Sequence, residues 1–303
     1  MVKIPPYLKP GNVIGITCPA GFMAAEKASV CIQTLQEWGF GVMIGKTLVS
    51  NSTNYFSGTD EERTDELQAM LDDKNIEAIL FGRGGYGVGR IIDKLNFKKF
   101  ARNPKWLIGY SDITVLHSHL LNKYNIASMH APMAGAFNDI ENSKEFIEAL
   151  HKAMTGKKAS YTCAPHAFNR KGDVSGVLMG GNLSLLTNLV GTPSDFDTKN
   201  KILFLEDVGE YLYKIDRMLY QLKRSGKFNK LAGLVIGGFT EMKDTERPFG
   251  KTMDELIHEI VKDFDFPVCF NFPVSHTKEN VALKVGGSYQ LKITGKKTIL
   301  KEL

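Results

Sequence analysis

Ser111 is the residue of this sequence best placed for nucleophilic chemistry. It follows an apolar run, Trp106 to Gly109, and precedes a helical pattern, so its hydroxyl is expected at a sharp turn. The backbone N–H groups and the positive dipole end of a helix N-terminus can stabilise an oxyanion at such a turn. The segment matches half of the pattern Gly-x-Ser-x-Gly, because Ile113 replaces the second glycine. The competing interpretation is that Ser111 only caps the helix.

Two adjacent carboxylates, Glu206 and Asp207, end the apolar run that begins at Lys201. A carboxylate at the carboxyl end of a strand can accept the N–H of a histidine and thereby fix its tautomer. His276 lies in a predicted loop and could be that histidine, acting as a general base. His130 ends another predicted strand and is the best alternative base. The competing interpretation of the two acids is that they lie in a solvated loop or at a helix N-terminus. The competing interpretation of either histidine is that its role is purely structural.

A glycine-rich segment, Gly82-Arg-Gly-Gly-Tyr-Gly87, follows a third apolar run at 77–81. Its glycines match the spacing of a dinucleotide-binding loop, and Asp112 lies close to where the ribose-binding acid is expected. Against that interpretation, about 80 residues of other structure precede the loop. Bare backbone N–H groups could instead form an oxyanion hole, and a tight structural turn is the third interpretation.

The elements that must position these residues follow from the hydrophobic pattern. Apolar runs alternate with amphipathic stretches in the first half, which predicts βαβ units and a parallel sheet. Reactive groups in such sheets lie in the turns after the strands. We predict an α/β protein, with a Rossmann- or flavodoxin-like domain over 1–155, a linker over 156–170 and a β-rich, barrel-like α/β domain over 171–303. Strands are predicted at 13–17, 77–81, 106–109, 201–205, 231–236 and 282–293, and helices at 27–38, 112–123, 183–189, 214–223 and 253–263.

Composition excludes several classes of protein. Of the 303 residues, 43% are hydrophobic and 23% are charged, which is typical of a globular protein and not of a disordered or collagen-like chain. The net charge of +5 is spread along the chain without a basic, aromatic-rich stripe, so no nucleic-acid partner is expected. No apolar run reaches the length of a membrane span and no signal core is evident, so we expect a cytoplasmic protein without a membrane partner.

Metal and cofactor motifs are not evident either. The cysteines at 18, 31, 163 and 269 are too far apart for a Cys-x-x-Cys motif, and we expect them to be reduced and mostly buried. Neither a His-Glu-x-x-His motif nor a phosphate-binding Walker loop is present. We therefore expect neither a metal nor a cofactor.

Taken together and in this order, the segments resemble those of the LD-carboxypeptidase family, serine peptidase family S66. That family includes muramoyl-tetrapeptide carboxypeptidases and microcin C immunity peptidases. The resemblance spans nearly the whole chain and depends most on Gly109-Tyr-Ser-Asp-Ile-Thr114 and Leu203-Phe-Leu-Glu-Asp207. The other matching segments are Phe56-Ser-Gly-Thr-Asp-Glu-Glu-Arg63, Gly82-Arg-Gly-Gly-Tyr-Gly87, His130-Ala-Pro-Met133, Gly180-Gly-Asn-Leu-Ser184 and Ile215-Asp-Arg-Met-Leu219.

The resemblance implies a role for each candidate residue. Ser111 would be the nucleophile, His276 the general base and Glu206 the carboxylate that orients it. The backbone N–H groups of Asp112 and Gly85 would form the oxyanion hole. The implied reaction is metal-free hydrolysis of an L-to-D amide bond, which releases C-terminal D-alanine from small murein tetrapeptides during cell-wall recycling. The resemblance also implies that the enzyme is a homodimer.

Three further expectations concern the substrate and the site. Arg83 could bind the free carboxylate of the substrate, or could form a structural ion pair. Ser275 stands before His276 where many relatives have glycine, which puts the geometry of that loop in question. Ser111 and Glu206 fall in different predicted domains, so the site is expected between them. The alternative functions are a peptidase acting on peptidyl-nucleotides and a non-catalytic dinucleotide-binding protein.

Overall fold

The computed structural model describes the backbone of residues 1–303 and the side chains of 1–139 and 141–303. The chain divides into two compact units, residues 1–157 with 281–284, and residues 158–280 with 285–303. The strands are β1 (Val13–Thr17), β2 (Gly41–Ile44), β3 (Ala78–Phe81), β4 (Trp106–Gly109), β5 (Ser128–His130), β6 (Ser160–Cys163), β7 (Gly172–Asn182), β8 (Lys201–Val208), β9 (Gly233–Thr240), β10 (Val268–Cys269), β11 (Leu283–Val285), β12 (Ser288–Ile293) and β13 (Thr298–Glu302). The α-helices are α1 (Ser29–Glu37), α2 (Asp60–Asp72), α3 (Val88–Ile91), α4 (Lys98–Arg102), α5 (Thr114–His119), α6 (Ile140–Met154), α7 (Leu183–Leu189), α8 (Leu212–Arg224) and α9 (Met253–Val261).

The first unit is built on a six-stranded sheet in the order β11-β5-β4-β3-β1-β2. Strands β1 to β5 pair in parallel, and β3 and β4 are short apolar runs buried along their whole length. Such continuous apolar strands are typical of parallel sheets covered on both faces. Leu80 and Ile108 of the sheet belong to one hydrophobic cluster with Leu35 of α1 and Leu150 of α6. Each fully buried aliphatic side chain contributes roughly 1.5–3 kcal/mol of stability.

The loops that follow β1, β3 and β4 lie at one edge of this sheet. Thr17 at the end of β1 pairs with Phe81 at the end of β3, and β3 pairs in parallel with β4. Parallel neighbours bring their carboxyl ends together, so the segments after Phe81 and Gly109 meet at this edge. This confirms the predicted parallel α/β fold of the first half.

The second unit contains a seven-stranded sheet in the order β10-β9-β8-β7-β12-β13-β6. Strands β7 to β10 pair in parallel, whereas β12, β13 and β6 are antiparallel to their neighbours. The two edge strands approach each other, because the Cys163 and Cys269 sulfur atoms are 3.6 Å apart and Arg170 bridges to Val268. The sheet is therefore curled, in agreement with the predicted barrel-like architecture.

Several elements differ from the predicted ones. The run predicted as one strand over 282–293 is divided at Gly286, whose φ is 94°, and its halves join different sheets as β11 and β12. Residues 160–163, within the segment expected to be a linker, form β6 because they pair with β13, far away in the sequence. The helix predicted over 112–123 is a 3-10 turn, α5 and a π-helical turn in succession.

None of the helices in the part of the chain that the structure describes has the length and apolar character needed to span a bilayer.

Candidate active site

Ser111 occupies a strained turn directly after strand β4. Tyr110 is extended, and Ser111 has a φ of 61°, in the left-handed region that L-residues with a side chain rarely adopt. Residues 111–113 then form a 3-10 turn that leads into α5. Tyr110 occupies the N-cap position of this turn, and among the described residues no side chain makes a capping hydrogen bond there. Ser111 therefore does not act as a helix cap. Strain of this kind costs on the order of 1–3 kcal/mol and is found mostly at functional sites.

A buried histidine holds the strand end that carries Ser111. His117 on α5 has one ring nitrogen, Nε2, 2.8 Å from the carbonyl oxygen of Gly109 and the other, Nδ1, 2.8 Å from the Ser128 hydroxyl. Because a carbonyl only accepts, Nε2 carries the proton and Nδ1 accepts from Ser128. Burial lowers the pKa of His117 to about 4, so the ring is neutral near pH 7 and this tautomer is stable.

The glycine-rich loop packs directly against Ser111. A Cβ atom on Gly84 would lie 2.9 Å from the Cβ atom of Ser111 and 3.3 Å from the backbone nitrogen of Asp112. Gly85 has a φ of 100°, a conformation that favours glycine. The Gly84 carbonyl accepts the Gly21 N–H at 3.0 Å, which fastens the loop to the segment after β1. Glycine is therefore required here for close approach as well as for backbone conformation.

Asp112 is turned inward and does not resemble a ribose-binding acid. Its side chain is fully buried, and its Oδ2 accepts the Val88 N–H at 2.7 Å. Burial raises the pKa of Asp112 to about 6, against the opposing effect of the Val88 hydrogen bond. The glycine loop is followed by α3, which has only four residues. These features do not fit the dinucleotide-binding interpretation, which needs a long helix and an accessible acid.

Arg83 is exposed beside this loop. Its Nη1 donates to the Phe22 carbonyl at 2.7 Å, which orients the guanidinium. A carbonyl carries no net charge, so this hydrogen bond leaves the positive charge of Arg83 able to attract an anionic group.

Glu206 and His276 form a hydrogen-bonded pair in the second unit. His276 Nδ1 lies 2.5 Å from Glu206 Oε2, and the Glu206 side chain is fully buried near the end of β8. Burial alone would lower the pKa of His276, but the hydrogen bond and charge of Glu206 outweigh it and raise the pKa above its ordinary value. Such a carboxylate fixes the Nδ1–H tautomer and leaves Nε2 as the basic atom.

Asp207, the neighbouring acid, has a different role. Its Oδ2 accepts the backbone N–H of Ser184 at 2.9 Å and the hydroxyl of the same residue at 2.8 Å, while Oδ1 accepts from Asn182 at 3.1 Å. It therefore anchors the first turn of α7. Glu206 therefore contacts His276, whereas Asp207 contacts the start of α7.

The loop that carries His276 does not require glycine at position 275. Ser275 is not among the residues with positive φ in the described chain, so serine is not strained there. Its hydroxyl accepts the Thr277 N–H at 3.0 Å and lies 3.0 Å from the Glu279 carbonyl, to which it donates. Space for its Cβ comes from Gly238 on β9, where an added Cβ would lie 2.5 Å away.

His130, the alternative base, is less suitable. It is fully buried at the end of β5, beside the rings of Tyr110 and His117. The His276 side chain is 13% exposed and has a carboxylate partner, as a general base requires. No group of three or more His, Cys, Asp or Glu side chains in the described residues could hold a metal ion.

Two residues near the serine turn escaped the sequence analysis. His117 lies on α5, which is buried along its whole length, and Arg63 lies on α2 with its guanidinium buried. The lone signal was that Arg63 falls inside the quoted Phe56–Arg63 segment, but its burial depends on contacts with residues distant in the sequence.

Comparisons with known proteins show which proteins this chain is similar to. Residues 14–131 match the family model of the LD-carboxypeptidase N-terminal domain, and residues 175–291 match that of the LD-carboxypeptidase C-terminal domain. A probable murein peptide carboxypeptidase of Bacillus subtilis is 31% identical over 98% of this chain and 94% of its own length. The crystal structure of a muramoyltetrapeptide carboxypeptidase from Oxalobacter formigenes is 30% identical, with a TM-score of 0.88 over 96% of this chain and 98% of that one. The microcin C7 self-immunity protein of Escherichia coli is 26% identical over 91% of this chain and 89% of its own length.

Proposed function

The chain belongs to the LD-carboxypeptidase family and is a serine carboxypeptidase, and we propose that it removes C-terminal D-alanine from murein tetrapeptides. We further propose Ser111, His276 and Glu206 as its catalytic triad. The observation that carries the proposal is the buried Glu206–His276 pair in a chain that also presents a serine at a positive φ. A nucleophilic serine needs a base that a third group orients, and strained backbone positions cluster at functional sites.

The proposed reaction begins with proton transfer from Ser111 to Nε2 of His276 as the hydroxyl attacks the scissile carbonyl. Glu206 accepts a hydrogen bond from the Nδ1–H group of His276 and stabilises the imidazolium that forms. The N–H groups of Asp112 and Gly85 bind the developing oxyanion, each contributing roughly 3–4 kcal/mol. The imidazolium then protonates the leaving amine of D-alanine, and water attacks the acyl-enzyme with His276 as base.

Recognition of the substrate is proposed to use Arg83. A carboxypeptidase must hold the free carboxylate of the terminal residue, and Arg83 is an exposed cation beside the loop that contacts Ser111. On the basis of the family resemblance, we also propose that the enzyme acts in cell-wall recycling, lies in the cytoplasm and forms a homodimer.

A second candidate substrate is a peptidyl-nucleotide. The similarity to the microcin C7 self-immunity protein favours it, because that relative aligns with 91% of this chain. The chemistry at Ser111 would be the same, and only the leaving group would differ.

The test is incubation of the purified enzyme with a murein tetrapeptide ending in D-alanine, followed by mass spectrometry. We expect loss of one alanine by the wild type and by Ser29→Ala, a matched control whose serine bonds only to the Glu26 carbonyl among the hydrogen bonds assigned to its side chain. Ser111→Ala is expected to be inactive, and EDTA to have no effect. Turnover by Ser111→Ala would overturn the assignment of the nucleophile. Cleavage of a peptidyl-nucleotide alone would favour the second candidate.

A further inference from the structure

One peptide group of the glycine loop is held from both sides by buried charged side chains. Arg63 Nη1 donates to the carbonyl of Gly87 at 3.2 Å, and the N–H of Val88 donates to Asp112 Oδ2 at 2.7 Å. Both charged side chains are completely buried. Opposite charges therefore act on the two ends of one peptide dipole, where the low dielectric strengthens each hydrogen bond.

Arg63 is itself fixed by further partners. Its guanidinium also donates to the carbonyls of Pro19, at 2.5 Å, and Gly58, at 3.2 Å, and it forms an ion pair with Asp60. It projects from the first turn of α2, which is anchored by a capping box at Thr59. A buried guanidinium with this many acceptors has little freedom to move, so it fixes the position of the Gly87 carbonyl that it contacts.

Asp112 connects this arrangement to the reaction centre. It follows Ser111 directly, and its backbone nitrogen would lie 3.3 Å from a Cβ atom on Gly84. The loop between contains Gly84, Gly85 and Gly87, and glycine has no side chain to restrict the backbone. Without outside contacts the direction of the Gly85 N–H would vary, whereas oxyanion stabilisation requires donors that are oriented in advance.

We propose that Arg63 and Asp112 are a pair of positioning residues that orient the glycine loop so that the Gly85 N–H points at the oxyanion formed at Ser111. This inference rests on the proposed function and deepens it. Neither side chain touches the substrate. Because the oxyanion exists only in the transition state and the tetrahedral intermediate, the pair affects kcat and leaves substrate binding nearly unchanged.

The test compares five forms of the full-length enzyme with the murein tetrapeptide: wild type, Asp112→Ala, Asp112→Asn, Arg63→Met and Arg90→Met. Arg90 is the matched control, because it also pairs with Asp60 and also lies over the Phe56 ring. Its side chain interacts with Asp60 and with Tyr86, and the hydrogen bond to the Gly87 carbonyl comes from Arg63. A loop displaced by about 1 Å lowers kcat by about 10²-fold, which is the fall expected for Asp112→Ala and for Arg63→Met. Arg90→Met should retain the kcat of the wild type.

Two further readouts separate positioning from a merely structural role. Asparagine can still accept the Val88 N–H, so Asp112→Asn should recover about tenfold of the kcat lost in Asp112→Ala. A sixth form, the double variant with Asp112→Ala and Arg63→Met, should lose much less kcat than the product of the two single losses, because each change releases the same peptide group.

The pH profile is the third readout. The groups that face the Asp112 carboxylate are Arg63 and the N–H groups of Gly87 and Val88, and burial places its pKa at about 6. In the wild type, kcat/KM should therefore fall below pH 6 more steeply than protonation of His276 alone requires. This additional decrease in kcat/KM should equal the factor by which Asp112→Asn lowers kcat/KM at neutral pH. The Asp112→Asn variant should not show the additional decrease.

Three results would overturn the inference. The first is a kcat within threefold of wild type for folded Asp112→Ala and Arg63→Met, with folding judged by circular dichroism. The second is a rise in KM at constant kcat. The third, decisive if Asp112→Ala does not fold, is an Asp112→Asn pH profile identical to that of the wild type. Failure of the wild type to cleave the peptide, or turnover by Ser111→Ala, would instead remove the proposed function.

Discussion

Replacement of Gly84 by alanine tests how closely the glycine loop approaches the nucleophile. The added Cβ would lie 2.9 Å from Ser111 Cβ and 3.1 Å from Ser111 Oγ. Carbon atoms in contact are normally about 3.5–4.0 Å apart, so the overlap is roughly 0.6–1.1 Å. The φ of Gly84 lies outside the left-handed region, so the effect is steric and not one of backbone strain.

The overlap sets the size of the expected effect. Either the Ser111 side chain or the loop must move by about 1 Å, and a misplacement of that size lowers kcat by about 10²-fold. Overpacking should also lower the free energy of unfolding by roughly 1–3 kcal/mol. The assay is the initial rate of D-alanine release from the tetrapeptide as a function of substrate concentration, with thermal unfolding of the same samples.

Gly89 supplies the matched control within the same loop–helix segment. A Cβ atom there would meet no atom within 4 Å, and Gly89 lies in α3. Gly89→Ala should keep the wild-type kcat and should gain roughly 0.4–1 kcal/mol of stability. Wild-type kcat and Tm in Gly84→Ala would refute the close approach of the loop to Ser111. Equal losses in both variants would show that the effect is not specific to Gly84.

Further predictions concern the histidines, their partners and the cysteines. Glu206→Gln should lower kcat by about 10⁴-fold, because glutamine removes the charge that stabilises the imidazolium and can favour the wrong tautomer; a kcat near that of the wild type would refute the role of Glu206. The active form of His276 is neutral and its pKa is raised, so kcat/KM should rise with pH through a value above 6.5, and a midpoint below 6.5 would contradict the effect of Glu206. His117 is buried in its neutral form with a pKa of about 4, against 6.5 when unfolded, so the unfolded state binds the proton first as the pH falls. The free energy of unfolding should therefore decrease by up to about 3 kcal/mol between pH 6.5 and 4, and denaturant titrations should show a smaller decrease for His117→Gln. Cys163 and Cys269, with sulfur atoms 3.6 Å apart, should form a disulfide with oxidised glutathione, releasing two molecules of glutathione, and peptide mapping under non-reducing conditions would detect it.

The sequence by itself determined the local elements and the residue types of the candidate site. Strands at 13–17 and 106–109 and the helix at 183–189 lie where the hydrophobic pattern predicted them. A serine after a buried strand, a glycine loop after another, and a strand that ends in two acids are all local patterns. Periodicity and turn chemistry act between neighbours in the chain, which is why such features can be predicted without a structure.

Only the tertiary structure decided which of these residues lie in contact. Glu206 faces His276 and Asp207 faces α7, a choice that depends on the pleat and on the bulge between Leu205 and Asp207. The positive φ of Ser111 and the division of the last predicted strand at Gly286 likewise left no periodic signal.

The contacts of Arg63 and Asp112 with the Gly87–Val88 peptide group are the clearest example of contacts that the sequence could not predict. Its members come from α2, from the loop after β3 and from the turn after β4, and each is unremarkable in its own segment. Burial of opposite charges around one peptide group depends on packing between elements far apart in the sequence. Hydrophobic periodicity records which face of an element is buried, but not which distant group it meets there.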